Sequence, residues 1–145
     1  MPVANLHVLK GHPREKLKQW IRDASEAMTR VLEAPADRLE VWVTEIDPDL
    51  WGISGVPASE AFEHTPRNSL EMPFIKMVLM QGRPVQQYHC IIAELTSITE
   101  KLLDIDGSKV RVFIAEAHPD RWGIGGVPAS VKRARELAAR AVNPV

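Results

Sequence analysis

A nine-residue phrase occurs twice in this chain, as WGISGVPAS from Trp51 to Ser59 and as WGIGGVPAS from Trp122 to Ser130, 71 positions apart and with one difference. The same ungapped offset superimposes Pro2 on Pro73, Gly11 on Gly82, Pro13 on Pro84, Glu45 on Glu116 and Pro48 on Pro119. The chain is a tandem duplication, so its fold must be one that two copies of the same unit build together. A unit of roughly 65 to 70 residues is marginal alone, whereas 145 residues at 45% apolar content suffice for two interlocked halves around one core. Both repeats begin on a proline, and only one of those prolines can become a chain terminus. The halves therefore cannot be chemically equivalent.

Within each half the hydrophobic period changes twice. Val3 to Leu9 is short and largely apolar, as a buried strand would be. Gly11 and Pro13 mark a turn, and Leu17, Trp20, Ile21, Ala24, Ala27, Met28, Val31 and Leu32 then follow helical spacing, ending near Glu33 to Pro35. Leu39, Val41 and Val43 alternate with Glu40, Trp42 and Thr44, the period of a strand with distinct faces. The second half repeats the order: Phe74 to Met80, a helix carrying Tyr88, Ile91, Ile92, Leu95, Ile98 and Leu102, and the alternation of Val110, Val112 and Ile114. A helical crossover makes the two strands of each unit parallel. The expected fold class is α/β (α+β): two tandem β-α-β units forming a four-stranded sheet with both helices on one face. The uncovered apolar sheet face predicts self-association. One domain over 1–145 is expected, with a first repeat at 2–60, a linker at 61–72, a second repeat at 73–131 and a tail at 132–145 that reads as a short surface helix.

Charge and composition exclude several classes. A formal net charge of −1 without a basic run argues against nucleic acid. The single cysteine, Cys90, lies inside a helix, cannot form an intrachain disulfide and reads as an inert thiol. No segment has the length and apolarity of a membrane span or a secretory leader, which points to a cytoplasmic protein with no membrane partner. WGIGGVP lacks the lysine and hydroxyl of a phosphate loop and reads as a tight turn.

The opening PVANLHVLKG, the helix ending near VLEAP, and VWVTEI followed by WGISGVPAS resemble 4-oxalocrotonate tautomerase, and MPFIKMVLMQGR to WGIGGVPAS resembles it again. The chain thus looks like a fused, double-length member of the tautomerase superfamily, with the tautomerase/MIF-like fold. The resemblance implies an isomerase without metal or organic cofactor, a homotrimeric assembly, and a small-molecule 2-oxo acid substrate. It places the catalytic proline on Pro2, exposed once the initiator methionine is removed, with its duplicate at Pro73. The family's first arginine falls on His12 and Arg83, its second on Glu40 and Arg111, and its aromatic position on Trp51 and Trp122. Because the family's second arginine comes from a partner half, Arg111 is expected to face Pro2, while Arg83 could still enter that site from a neighbouring chain, which the sequence does not show.

These residues fit proton-transfer chemistry. A terminal proline is a secondary amine with a reference pKa of roughly 8, lowered by burial and nearby cations, whereas the Pro73 nitrogen is an amide. Pro2 can move the proton of a 2-hydroxy-dienoate or enolpyruvate, such as 2-hydroxymuconate or phenylenolpyruvate, while Arg111 grips the carboxylate. His12, a weaker anion binder than arginine, suggests a monocarboxylate. Beside these roles stand plainer readings, Arg111 as an exposed strand arginine paired with Glu40, and Trp51 or Trp122 as a core or interface aromatic. Two other functions fit the pattern: a hydrolytic dehalogenase or decarboxylase of three-carbon acids using Glu40, or a non-catalytic assembly protein that retains Met1.

Overall fold

The computed structural model describes residues 2–142. The first unit comprises β1 (Val3–Leu9), α1 (Arg14–Leu32) and β2 (Glu40–Ile46), closed by the hairpin β3 (Gly52–Ile53) and β4 (Val56–Pro57) and the helical turn α2 (Ala58–Ala61). The linker contains one helical turn, α3 (Arg67–Leu70). The second unit repeats the order with β5 (Phe74–Met80), α4 (Val85–Leu103), β6 (Arg111–Ala117), the hairpin β7 (Gly123–Ile124) and β8 (Val127–Pro128), and α5 (Ala129–Lys132). A last helix, α6 (Ala134–Val142), follows.

Local chemistry explains the boundaries. Pro13 and Pro84 precede α1 and α4, where a missing N–H costs nothing. Both helices stop where a non-glycine residue turns left-handed, Glu33 and Asp104, each at φ 53°. In the hairpins the single difference between the nine-residue phrases has a conformational meaning. Ser54 sits at φ 55° and Gly125 at φ 58°, each followed by a glycine near φ 85°. Two successive positive φ values make the two-residue turn that fits a twisted hairpin, and only glycine occupies the first position without strain.

The four long strands form one sheet in the order β2-β1-β5-β6. β1 runs parallel to β2 and β5 parallel to β6, while β1 and β5 are antiparallel. Asn5 pairs with Lys76, its own equivalent under the repeat, so an approximate twofold axis passes between them. This seam puts the start of β1 beside the end of β5, and the start of β5 beside the end of β1.

Alternate residues face α1 and α4. Ala4, Leu6, Val8, Ile75, Met77 and Leu79 are fully buried against Trp20, Met28, Ile91 and Leu95. Inside this core the indole of Trp20 donates to the Thr99 hydroxyl at 2.9 Å, and that hydroxyl donates to the Leu95 carbonyl at 2.7 Å. Ile92, one step round from the buried face of α4, is 38% exposed. On the opposite sheet face Trp42 and Phe113 lie open, flanked by the half-buried Val3, Phe74 and Val78. No helix among the described residues is long and apolar enough to cross a membrane.

Candidate active site

Pro2 is buried where β1 begins, its carbonyl accepting the backbone N–H of Glu40 at 3.2 Å. It borders a cavity of about 70 Å³ together with Met80, Arg83, Arg133 and Arg140. Arg83 follows the end of β5, and the antiparallel seam delivers it to Pro2 within one chain. Its Nη1 donates to the carbonyl of Leu32, the last residue of α1, at 2.6 Å and to the Gln87 side chain at 3.1 Å. A cation at that helix end is favourably placed. Burial, with the Arg140 cation adding to it, pushes the pKa of Arg83 down to about 10, so it remains charged at neutral pH.

The same seam corrects three expectations. Arg111 does not face Pro2 of its own chain: it pairs with Phe74, and its backbone N–H bonds the Pro73 carbonyl at 3.0 Å. Phe74 is level with His7, so Arg111 lies roughly 17 Å from the Pro2 level along the strands. Its guanidinium is exposed and donates to the carbonyls of Ser108 at 2.8 Å and Val110 at 3.2 Å. Glu40 is on the opposite sheet edge, so the two do not pair. His12 also belongs to the Pro73 end, where its Nε2 lies 2.7 Å from the buried carboxylate of Glu71. Arg83, expected to enter the Pro2 site only through a neighbouring chain if at all, is the arginine the chain itself supplies.

The two tryptophans separate by the same logic. Trp51 follows β2 and lines a cavity with His7, Met72, Phe74 and Arg111 at the Pro73 end. Trp122 follows β6, whose last residue is level with Met80, so its hairpin stands at the Pro2 end. Neither ring borders the Pro2 cavity itself.

Sequence reasoning missed five charged residues of the cavity, Glu33, Arg38, Arg133, Glu136 and Arg140. The tail does form a helix, but it walls the cavity. Arg38 donates to both Glu136 oxygens, at 2.7 and 2.9 Å, holding α6 against the turn before β2. The signal was present in the seven-residue spacing of Arg133 and Arg140, which puts both on one side of a helix. Among the described residues no group of three or more His, Cys, Asp or Glu side chains could hold a metal ion. Met1, whose removal the terminal-amine chemistry needs, lies outside the described residues.

A family model described as a tautomerase enzyme matches residues 2–61 and again 73–132. The 2-hydroxymuconate tautomerase of Pseudomonas fluorescens is 45% identical over 60 residues, 41% of this chain and 95% of that protein. The protein of the same name from Comamonas testosteroni is 33% identical over an equal length, 41% of this chain and 95% of that protein. Among solved structures, a native fused 4-OT superposes with a TM-score of 0.79 at 26% identity, covering 89% of this chain and 97% of that one. A fused 4-OT that is an asymmetric trimer does so with a TM-score of 0.79 at 25% identity, covering 90% and 98%.

Two β-α-β units joined at one antiparallel seam, with a cationic cavity at the opening proline, define the class: a fused, double-length isomerase of the 4-OT kind. The chain belongs to the tautomerase family and is an enzyme with tautomerase activity.

Proposed function

We propose that this enzyme is a cofactor-independent keto-enol tautomerase of 2-hydroxy-dienoate or enolpyruvate-type 2-oxo acids, with Pro2 as general base once Met1 is removed. The observation that carries this reading is the burial of Pro2 in a cavity shared with the half-buried cation of Arg83. Burial and a neighbouring cation both disfavour the ammonium form of the amine. The free amine takes the proton of the substrate's 2-hydroxyl and returns it to C3 or C5, so the double bonds shift while the composition stays constant. Arg83 holds the carboxylate and the developing 2-oxo group. The Pro73 nitrogen, an amide, does no such work.

Arg111 enters this reading from a neighbouring copy. It is exposed on the uncovered sheet face beside Phe113, and a fused relative is a trimer, which supports a homotrimer in which Arg111 of one chain completes the Pro2 site of the next. Trp122 is the tryptophan on the Pro2 side, and His12 serves the Pro73 end.

The testing experiment follows ketonisation of 2-hydroxymuconate and phenylenolpyruvate by ultraviolet absorbance, for methionine-processed protein and Pro2→Ala. Turnover abolished by the substitution is the expected result; undiminished turnover removes Pro2 as the base. The hydrolytic reading draws on Glu40, whose backbone touches Pro2, but the Glu40 side chain is exposed and outside the cavity. Release of chloride from 3-chloroacrylate, lost in Glu40→Gln, would favour it.

A further inference from the structure

We infer that Arg133 and Arg140, beyond the second repeat, form a second cationic pole of the Pro2 site and hold the distal anionic group of a dicarboxylate. This rests on the reading of Pro2 as the catalytic end. Four guanidinium groups border the cavity, from Arg38, Arg83, Arg133 and Arg140, against two carboxylates, Glu33 and Glu136. Arg38 and Glu136 satisfy each other, so Glu33 faces three remaining cations. The Nε atoms of Arg83 and Arg133 are buried with no hydrogen-bond partner among the described residues. Buried N–H donors on cations are costly to leave unpaired, and an anion in the cavity is the partner they lack.

The repeat supplies its own control. At the Pro73 end the equivalent place after the strand is held by His12, and the linker brings Arg67. There the chain fills the gap itself: Glu71 accepts from His12 at 2.7 Å and from Arg67 at 3.2 Å. The Pro73 end is plugged by an internal carboxylate, whereas at the Pro2 end the Nε atoms of Arg83 and Arg133 have no partner among the described residues. Room exists as well, because Arg83 and Arg140 also line an adjoining cavity of about 500 Å³ that continues outward past Pro84 and Gln87. Arg133 and Arg140 both lie past residue 132, where the second match to the family ends. The preference they impose thus comes from this chain's own tail. It reverses the monocarboxylate preference expected from His12, which stands at the other end.

The test compares binding of trans,trans-muconate and sorbate, which have the same carbon skeleton and differ by one terminal carboxylate, using calorimetry on the full chain. The wild-type protein is expected to bind muconate at least about tenfold more tightly, and the double variant Arg133→Gln/Arg140→Gln to bring the ratio within about threefold while keeping sorbate affinity. Arg135→Gln, an exposed arginine of the same helix outside the cavity, should leave the ratio unchanged. Equal binding of the two acids by the wild type, or an unchanged ratio in the double variant, overturns the inference. Failure of the Pro2 reading shows separately, as ketonisation that survives Pro2→Ala, and the binding ratio does not depend on it.

Discussion

Glu136 accepts two hydrogen bonds from Arg38, and this pair fastens the last helix over the Pro2 cavity. Both side chains are partly exposed, 27% for Arg38 and 49% for Glu136, so the pair is screened by salt and worth at most about 1 kcal/mol. The helix is therefore held lightly. Glu136→Gln, or 0.5 M salt, is expected to speed amide exchange across α6 while leaving β1 and β5 protected, as read by hydrogen-exchange mass spectrometry. Unchanged exchange in α6 would show that packing, not this pair, holds it.

If Arg111 completes the site of the next copy, Pro2→Ala and Arg111→Ala lie in the same functional site but on different chains. Each variant alone is expected to lose most activity, and mixed assemblies formed by co-expression to regain a substantial fraction. Activity in the mixture no higher than in either variant would place Arg111 outside the site.

Glu71 anchors the linker to the Pro73 end. Burial works to raise its pKa, but hydrogen bonds from His12 and Arg67 outweigh that and hold the carboxyl below its ordinary value of 4.5. A depressed carboxyl stabilises the fold above the unfolded value and loses that contribution as pH falls through the folded one. Calorimetric melting is therefore expected to drop as pH falls below about 4.5, whereas Glu71→Gln starts lower at pH 7 and falls less steeply. Parallel pH profiles would show that Glu71 is not what titrates.

Thr99 is a polar residue on the apolar face of α4, accepting the Trp20 indole 79 positions away in sequence. Thr99→Val keeps the shape and strands a buried indole N–H, at an expected cost of about 1 to 3 kcal/mol in denaturant unfolding. A neutral result would mean that the indole finds another acceptor.

Ser54 occupies the left-handed position that Gly125 fills in the second repeat. Ser54→Gly is expected to raise stability by about 0.5 to 1 kcal/mol, because relief of the strained backbone exceeds the added freedom of the unfolded chain. A lower melting temperature would refute that balance.

The β-α-β order was legible because periods of two and 3.6 are written in consecutive residues: the alternation around Val41 and the helical spacing from Leu17 to Leu32 each needed only a local window. The tight turn was legible from WGIGGVP for the same reason, though not the two short strands that flank it. Thr99 escaped because a hydroxyl on an apolar face reads as a defect until its partner is known. The tail read as a surface helix because its arginines look solvated when nothing indicates what they pack against. Arg83 and Arg111 were exchanged for a different reason. Their positions within the repeat were right, but the repeat alone does not say which end of one unit meets which end of the other.

Sequence by itself determined the duplication, the make-up of each unit, and that the Pro73 nitrogen is an amide, since these follow from local pattern and covalent chemistry. Tertiary structure alone decided which cations stand beside Pro2. The antiparallel seam sets the start of β1 against the end of β5, bringing Arg83 to Pro2 and carrying Arg111 and His12 away to Pro73. The C-terminal helix then adds Arg133 and Arg140. Strand pairing between residues about 70 positions apart is fixed by shared burial and backbone hydrogen bonding, and no local window encodes it.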